Sequence, residues 1–123
     1  MRPKQKIAPA EDLVLTKAVQ RAAASLGLTQ RELGAVLGIS EAKVSRLGRE
    51  TLIDTDKKEF ELAVLFLRLF RSLDALVGGS EDKARLWLHA DNHYLGGVPS
   101  VLIKTIPGLI GVVEYLDGMR GPL

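Results

Sequence analysis

The chain has 123 residues, 46% of them hydrophobic, with no cysteine and a formal net charge of +2. That length suits one compact unit or two small ones sharing a core, and the apolar content is that of a folding chain. The absence of thiols excludes disulfides, iron–sulfur clusters and thiolate zinc sites, and favours a cytoplasmic setting.

The N-terminus is polar and basic and lacks the apolar core of a signal peptide. No membrane span is expected, because Arg68 and Arg71 interrupt the longest apolar run. Charge is unevenly placed. Residues 1–50 hold nine Lys/Arg against five Asp/Glu, and residues 51–123 hold eight against ten. A basic leading half suits a polyanion and an acidic trailing half does not.

Arg2, Lys4 and Lys6 form a leader punctuated by Pro3 and Pro9. It reads as a solvated tail or as an arm for phosphates or an acidic partner. Ala10 to Leu26 is predicted to be the first helix. Leu13, Val14, Ala18, Val19, Ala22 and Leu26 fall at helical spacing, Glu11 and Asp12 favour the N-terminal end, and Gly27 stops it. Thr29 and Glu32 then form a capping box for a short helix with Leu33, Val36 and Leu37 on its inner face. Gly38 breaks that helix, Ile39 plugs the corner, and Ser40 caps the next one, whose inner residues are Val44 and Leu47. Two short helices joined by a tight glycine-containing turn are the helix-turn-helix pattern. The outward residues Glu41, Ala42, Lys43, Ser45 and Arg46, followed by Arg49, leave a slender, partly basic face able to enter a major groove.

Thr51 to Thr55 is a link, and Thr55 or Asp56 is expected to cap the next helix with Glu59 as reciprocal partner. Lys58 to Val77 contains no Pro or Gly. Phe60, Val64, Leu67 and Phe70 share one face, and Leu62, Leu65, Leu69, Leu73 and Leu76 a neighbouring one, with Phe66 widening the band. So broad an apolar girth predicts a central helix covered on more than one side by the flanking modules, and by a second copy of the chain if one is present. Arg71 and Asp74 are spaced to pair. Gly78-Gly79 stops the helix.

Ser80 to His89 is predicted to be helical, capped by Ser80, with Ala84, Trp87 and Leu88 inward. A loop from Asp91 to Gly97 follows. A short helix then runs from Pro99, where a missing N–H is harmless, to Ile103. Lys104 to Gly108 reads as a break. A last helix is expected from about Leu109 to Met119, and Gly118, Gly121 and Pro122 make a loose tail. His89, Asp91 and His93 contain metal-ligand types, but their placement around a turn favours ordinary surface residues. Gly96-Gly97-Val98-Pro99 lacks the preceding strand and the lysine of a phosphate loop. No converging catalytic set is present, so neither an enzyme nor a bound cofactor is expected.

The opening run Leu28-Thr29-Gln30, the turn Gly38-Ile39-Ser40 and then Val44-Ser45-Arg46-Leu47 resemble the Xre/Cro/λ-repressor family. Gly34 stands where that family usually has Ala. The resemblance implies phosphate contacts from Gln30, Ser40 and Arg49, and base-edge contacts from Lys43, Ser45 and Arg46. Further on, Trp87-Leu88, Asn92, Leu95-Gly96-Gly97 with Pro99, then Leu102, Thr105, Gly108, Leu116 and the terminal Gly resemble the toxin-binding C-terminal domain of Xre/MbcA/ParS-type antitoxins. Pro107 replaces the usual acidic residue there. This resemblance implies a RES-domain toxin, which consumes or transfers the ADP-ribosyl part of NAD, as partner. It implies a toxin-binding surface from Trp87, Asn92, Tyr94, Leu95, Gly96, Gly97 and Pro99. The low side-chain bulk of the tail suits Arg120, Gly121, Pro122 and Leu123 to plug a narrow cleft.

The expected architecture is all-α, with a helix-turn-helix domain over 1–55 and a central helix plus toxin-binding domain over 56–123. The expected function is that of a type II antitoxin that silences its toxin and represses its operon, acting on operator DNA as a homodimer or a higher toxin–antitoxin assembly. The alternative is a free-standing transcriptional regulator whose C-terminal domain serves only to dimerise.

Overall fold

A computed structural model describes residues 9–120 of the chain. The leader residues Arg2, Lys4 and Lys6, and Gly121, Pro122 and Leu123 of the tail, lie outside them. The described residues form seven helices: α1 Pro9–Leu26, α2 Gln30–Leu37, α3 Glu41–Arg46, α4 Lys58–Leu76, α5 Glu81–His89, α6 Pro99–Leu102 and α7 Ile106–Met119. There is no strand among them, only isolated bridges from Leu47 to Thr51 and from Asn92 to Gly97. No described helix is long and apolar enough to cross a membrane.

α4 is the organising element. It packs most extensively on α7, and also on α1, α2 and α5. Leu62, Ala63, Phe66, Leu69 and Leu73 are its buried apolar residues. Phe66 is fully buried, and withdrawing a side chain of that size from water stabilises the fold by about 2–3 kcal/mol. Cover is incomplete, however, since Val64 remains 45% exposed.

The polar contacts correct two expectations about α4. Its N-cap is Lys57, with no side-chain capping bond. Glu59 instead turns inward, where it is buried, binds the Lys43 ammonium and accepts the Asp54 backbone N–H at 2.7 Å. Arg71 does not pair with Asp74; the neighbouring Arg68 reaches α7 and binds Asp117.

On α1 the buried face is Asp12, Thr16, Val19, Ala22, Ala23 and Leu26. Leu13 and Val14 share the helical spacing but point elsewhere, at 37% and 69% exposure. Helical spacing alone did not reveal that polar Asp12 and Thr16 would hold the inward positions. The Thr16 hydroxyl is fully employed there. It donates to the Asp12 carbonyl at 2.7 Å and accepts the Ile53 N–H at 3.0 Å, fastening the link before α4.

The turn between α2 and α3 explains Gly34. A Cβ at that position would lie 2.7 Å from the Ile39 carbonyl oxygen, so the chain passes too close for alanine. α7 begins three residues earlier than the expected Leu109. The Thr105 hydroxyl accepts the Gly108 N–H at 3.1 Å and caps the helix, while Pro107 occupies a first-turn position that needs no N–H. Pro-Gly, read as a break, is here a helix start.

Candidate DNA and toxin interfaces

The capping box of α2 is complete: the Thr29 hydroxyl accepts from the Glu32 N–H at 3.0 Å, and the Glu32 carboxylate accepts from the Thr29 N–H at 2.9 Å. Ser40 caps α3 by accepting the Lys43 N–H at 3.0 Å. Val44 and Leu47 are buried beneath α3, as the pattern requires. Gln30, Ser40, Ser45, Arg46 and Arg49 are exposed on this unit.

Lys43 departs from the expected role. Its ammonium contacts both Glu59 carboxylate oxygens, at 3.0 and 2.9 Å, and its side chain is only 21% exposed. It fastens α3 to α4, so its charge is already compensated. Ser45 donates its hydroxyl proton to the Ala42 carbonyl, and Arg49 donates to the Ser45 carbonyl. Arg46 lies 3.7 Å from Glu50, a loose exposed pair that costs little to exchange for another anion. Arg46 and Arg49 are thus the cations that the α3 region keeps near its surface.

In the trailing half, Asn92, Leu95, Gly96 and Gly97, four of the residues that carried the family resemblance, build the loop between α5 and α6. The Asn92 side-chain oxygen accepts the Leu95 N–H at 3.0 Å, and its backbone pairs with Gly97 at 2.9 Å. Leu95 and Gly97 are half-buried and Pro99 is buried. Trp87 is half-buried and stacks on Tyr115, with ring centroids 6.4 Å apart. Tyr94, at 82% exposure, is the side chain this loop presents, with His93 edge-on to its ring. Leu86, Val101, Ile106, Ile110 and Met119 are also exposed in this half. Tyr94 was among the expected toxin-facing residues; the five aliphatic side chains were not, because sequence patterns report builders more readily than presenters.

Near the end of α7, the Ser72 hydroxyl donates to Asp117 at 2.6 Å, Arg68 binds the same carboxylate, and the Arg120 guanidinium donates to the Ser72 oxygen at 3.1 Å. The Ser72 bond first, and then Arg68 and Arg120, hold the Asp117 carboxyl below its ordinary value of 3.8, outweighing the opposing effect of desolvation. Ser72 had a visible signal: it is a polar residue on the same inward face as Leu69 and Leu73.

A second joint was not foreseen. Arg85 on α5 donates to the Ser25 and Ala24 carbonyls, both at 2.9 Å, and His89 Nε2 lies 3.0 Å from the Leu26 carbonyl. A carbonyl only accepts, so Nε2 carries the proton. These side chains satisfy the Ser25 and Leu26 carbonyls, which the C-terminal end of α1 would otherwise leave open, and add a second donor to the Ala24 carbonyl, which already accepts the Gly27 N–H. His89 is therefore a clamp. It does not join Asp91 and His93 in a ligand set, and the described residues contain no cluster able to hold a metal ion.

Residues 5–68 match the antitoxin Xre-like helix-turn-helix domain, and residues 72–122 match the antitoxin Xre/MbcA/ParS C-terminal toxin-binding domain. The chain belongs to the Xre-like antitoxins. No curated protein matches it. The antitoxin's two matched regions meet within α4: the first reaches through Arg68, and the second starts at Ser72. The Arg68–Asp117 pair and the Arg85 clamp both cross from one region to the other.

Proposed function

We infer that this antitoxin neutralises a RES-domain toxin acting on NAD, and that its helix-turn-helix represses the operon encoding the pair. The observation that carries this reading is the order of the matched regions, a helix-turn-helix followed directly by a toxin-binding domain. The exposed apolar residues of the trailing half support it, because a few aromatic anchors such as tyrosine carry much of the affinity in protein interfaces and surrounding apolar side chains exclude water from them. Tyr94 is the foremost of them. Gln30, Ser40, Ser45, Arg46 and Arg49 face the operator, with Arg46 reading a base edge and Arg49 a phosphate. Lys43 supports the reading helix through Glu59 instead of touching DNA. The assembly is a homodimer or a larger toxin–antitoxin complex.

The tail is proposed to plug the toxin's cleft, with Arg120 against an acidic catalytic group or in place of a nicotinamide cation. Reaching out would cost Arg120 its bond to Ser72, a loss of about 1–2 kcal/mol that a desolvated ion pair can offset.

The test is co-expression with a RES-domain toxin from the neighbouring gene. Full-length chain should restore growth, and a chain lacking residues 120–123 should not. Growth arrest despite ample full-length protein would reject the toxin assignment. Full rescue by the truncated chain would reject the plug alone.

A further inference from the structure

The exposed large apolar side chains fall into two sets. Those of the trailing half are accounted for by the toxin-facing role. Leu13, Val14 and Val64 are not: they lie on α1 and α4, within the helix-turn-helix region. Beside Val14, α1 and α4 form an open groove of about 420 Å³, lined by Ala10, Glu11, Val14, Leu15, Ala18 and Leu67. Leu67 also lines a second opening of about 380 Å³, together with Val64, Arg68, Arg71 and Arg120. The two share Leu67, so one surface leads from an acid, across apolar side chains, to a group of arginines.

Not all of those arginines are already compensated. Arg68 is engaged by Asp117, and Arg120 leans on Ser72. Arg71 and Glu11 have no ion-pair partner among the described residues. An apolar surface with an unpaired acid on one side and an unpaired base on the other is self-complementary. A two-fold axis through its centre would bring each charge onto its opposite in the second molecule. The apolar lining does not suit DNA, and the proposed DNA-facing residues Gln30, Ser45, Arg46 and Arg49 line neither opening.

We propose that this surface is where two copies of the chain pair, Glu11 of each meeting Arg71 of the other across Val14 and Leu67. This deepens the operator reading, since one helix-turn-helix reads few bases and a two-fold pair presents two to successive half-sites. Val14 protrudes as the apolar knob, and the groove beside it receives the same side chain of the second copy.

The test is sedimentation equilibrium on the full chain, without DNA or toxin. Wild type is expected to be a dimer. Val14→Glu is expected to be largely monomeric at the same concentration, with unchanged helical circular dichroism, because Val14 contributes little to the monomer's core. Glu11→Arg and Arg71→Glu should each raise the dimer dissociation constant about tenfold, and the double swap should return it towards wild type. A monomeric wild type, a Val14→Glu chain that stays dimeric, or a double swap no better than the single changes would each overturn the proposal. A monomeric result leaves toxin neutralisation standing. A dimer that neutralises no toxin leaves this interface standing.

Discussion

At residue scale, Gly108 and Lys43 show how local chemistry overrides a motif reading. A Cβ on Gly108 would lie 1.8 Å from the Leu102 carbonyl oxygen, a distance no relaxation of one flexible side chain can relieve. Alanine in a helix ordinarily stabilises by about 1 kcal/mol relative to glycine. Here Gly108→Ala is expected to destabilise by about 3 kcal/mol, read as a lower urea midpoint. Lys43 faces a buried carboxylate, so Lys43→Ala strands Glu59. A cost of about 2 kcal/mol is expected, below that of a fully buried pair because Lys43 keeps some solvent contact. Adding Glu59→Gln should recover part of that loss. A Lys43→Ala chain as stable as wild type would return Lys43 to the DNA-facing set.

At the scale of elements, the periodicity that announced α4 and the caps that announced α2 and α3 were legible because each is a local signal, carried within a few residues. The start of α7 was not, because Pro107-Gly108 has the composition of a break until Thr105 is seen capping it. The exposed positions of α1 were hidden for a different reason: Thr16 is polar yet buried by its bonds to Asp12 and Ile53, which only the packed chain supplies. The joints between elements were equally hidden, since Arg85 and His89 lie about sixty residues from their acceptors. Arg85→Ala should loosen α5 from α1 and cost about 1 kcal/mol, modest because the guanidinium is partly exposed. Faster amide exchange in α5 would report it. The α4–α7 joint gives a pH signature. The Asp117 carboxyl is depressed on folding, so its stabilisation is present above 3.8 and is lost as pH falls through the lower folded value. Asp117→Asn should melt below wild type at neutral pH, and the gap should close in acid below about pH 4. A gap that persists unchanged in strong acid would show that the carboxylate is not its source.

At the scale of the whole molecule, the two regions share α4 and are tied across it, yet their presented surfaces differ in kind. The leading region offers small polar residues and arginines around α3; the trailing region offers Tyr94 and a scatter of aliphatic side chains. That contrast was legible early as a charge asymmetry. Tyr94, Arg46 and Arg49 were among the residues expected to be presented; the exposed aliphatic side chains Leu86, Val101, Ile106, Ile110 and Met119 were not, because the sequence pattern marks Asn92, Gly97 and Pro99, which shape the loop that carries Tyr94. The proposed functions divide between the regions accordingly. The most direct measurement captures toxin on two tagged variants of the antitoxin, Tyr94→Asp and Arg46→Ala/Arg49→Ala, alongside operator binding by each. Expected is loss of toxin capture with operator binding kept for the first, and the reverse for the second. Toxin retained by Tyr94→Asp while the arginine variant loses it would contradict the division outright.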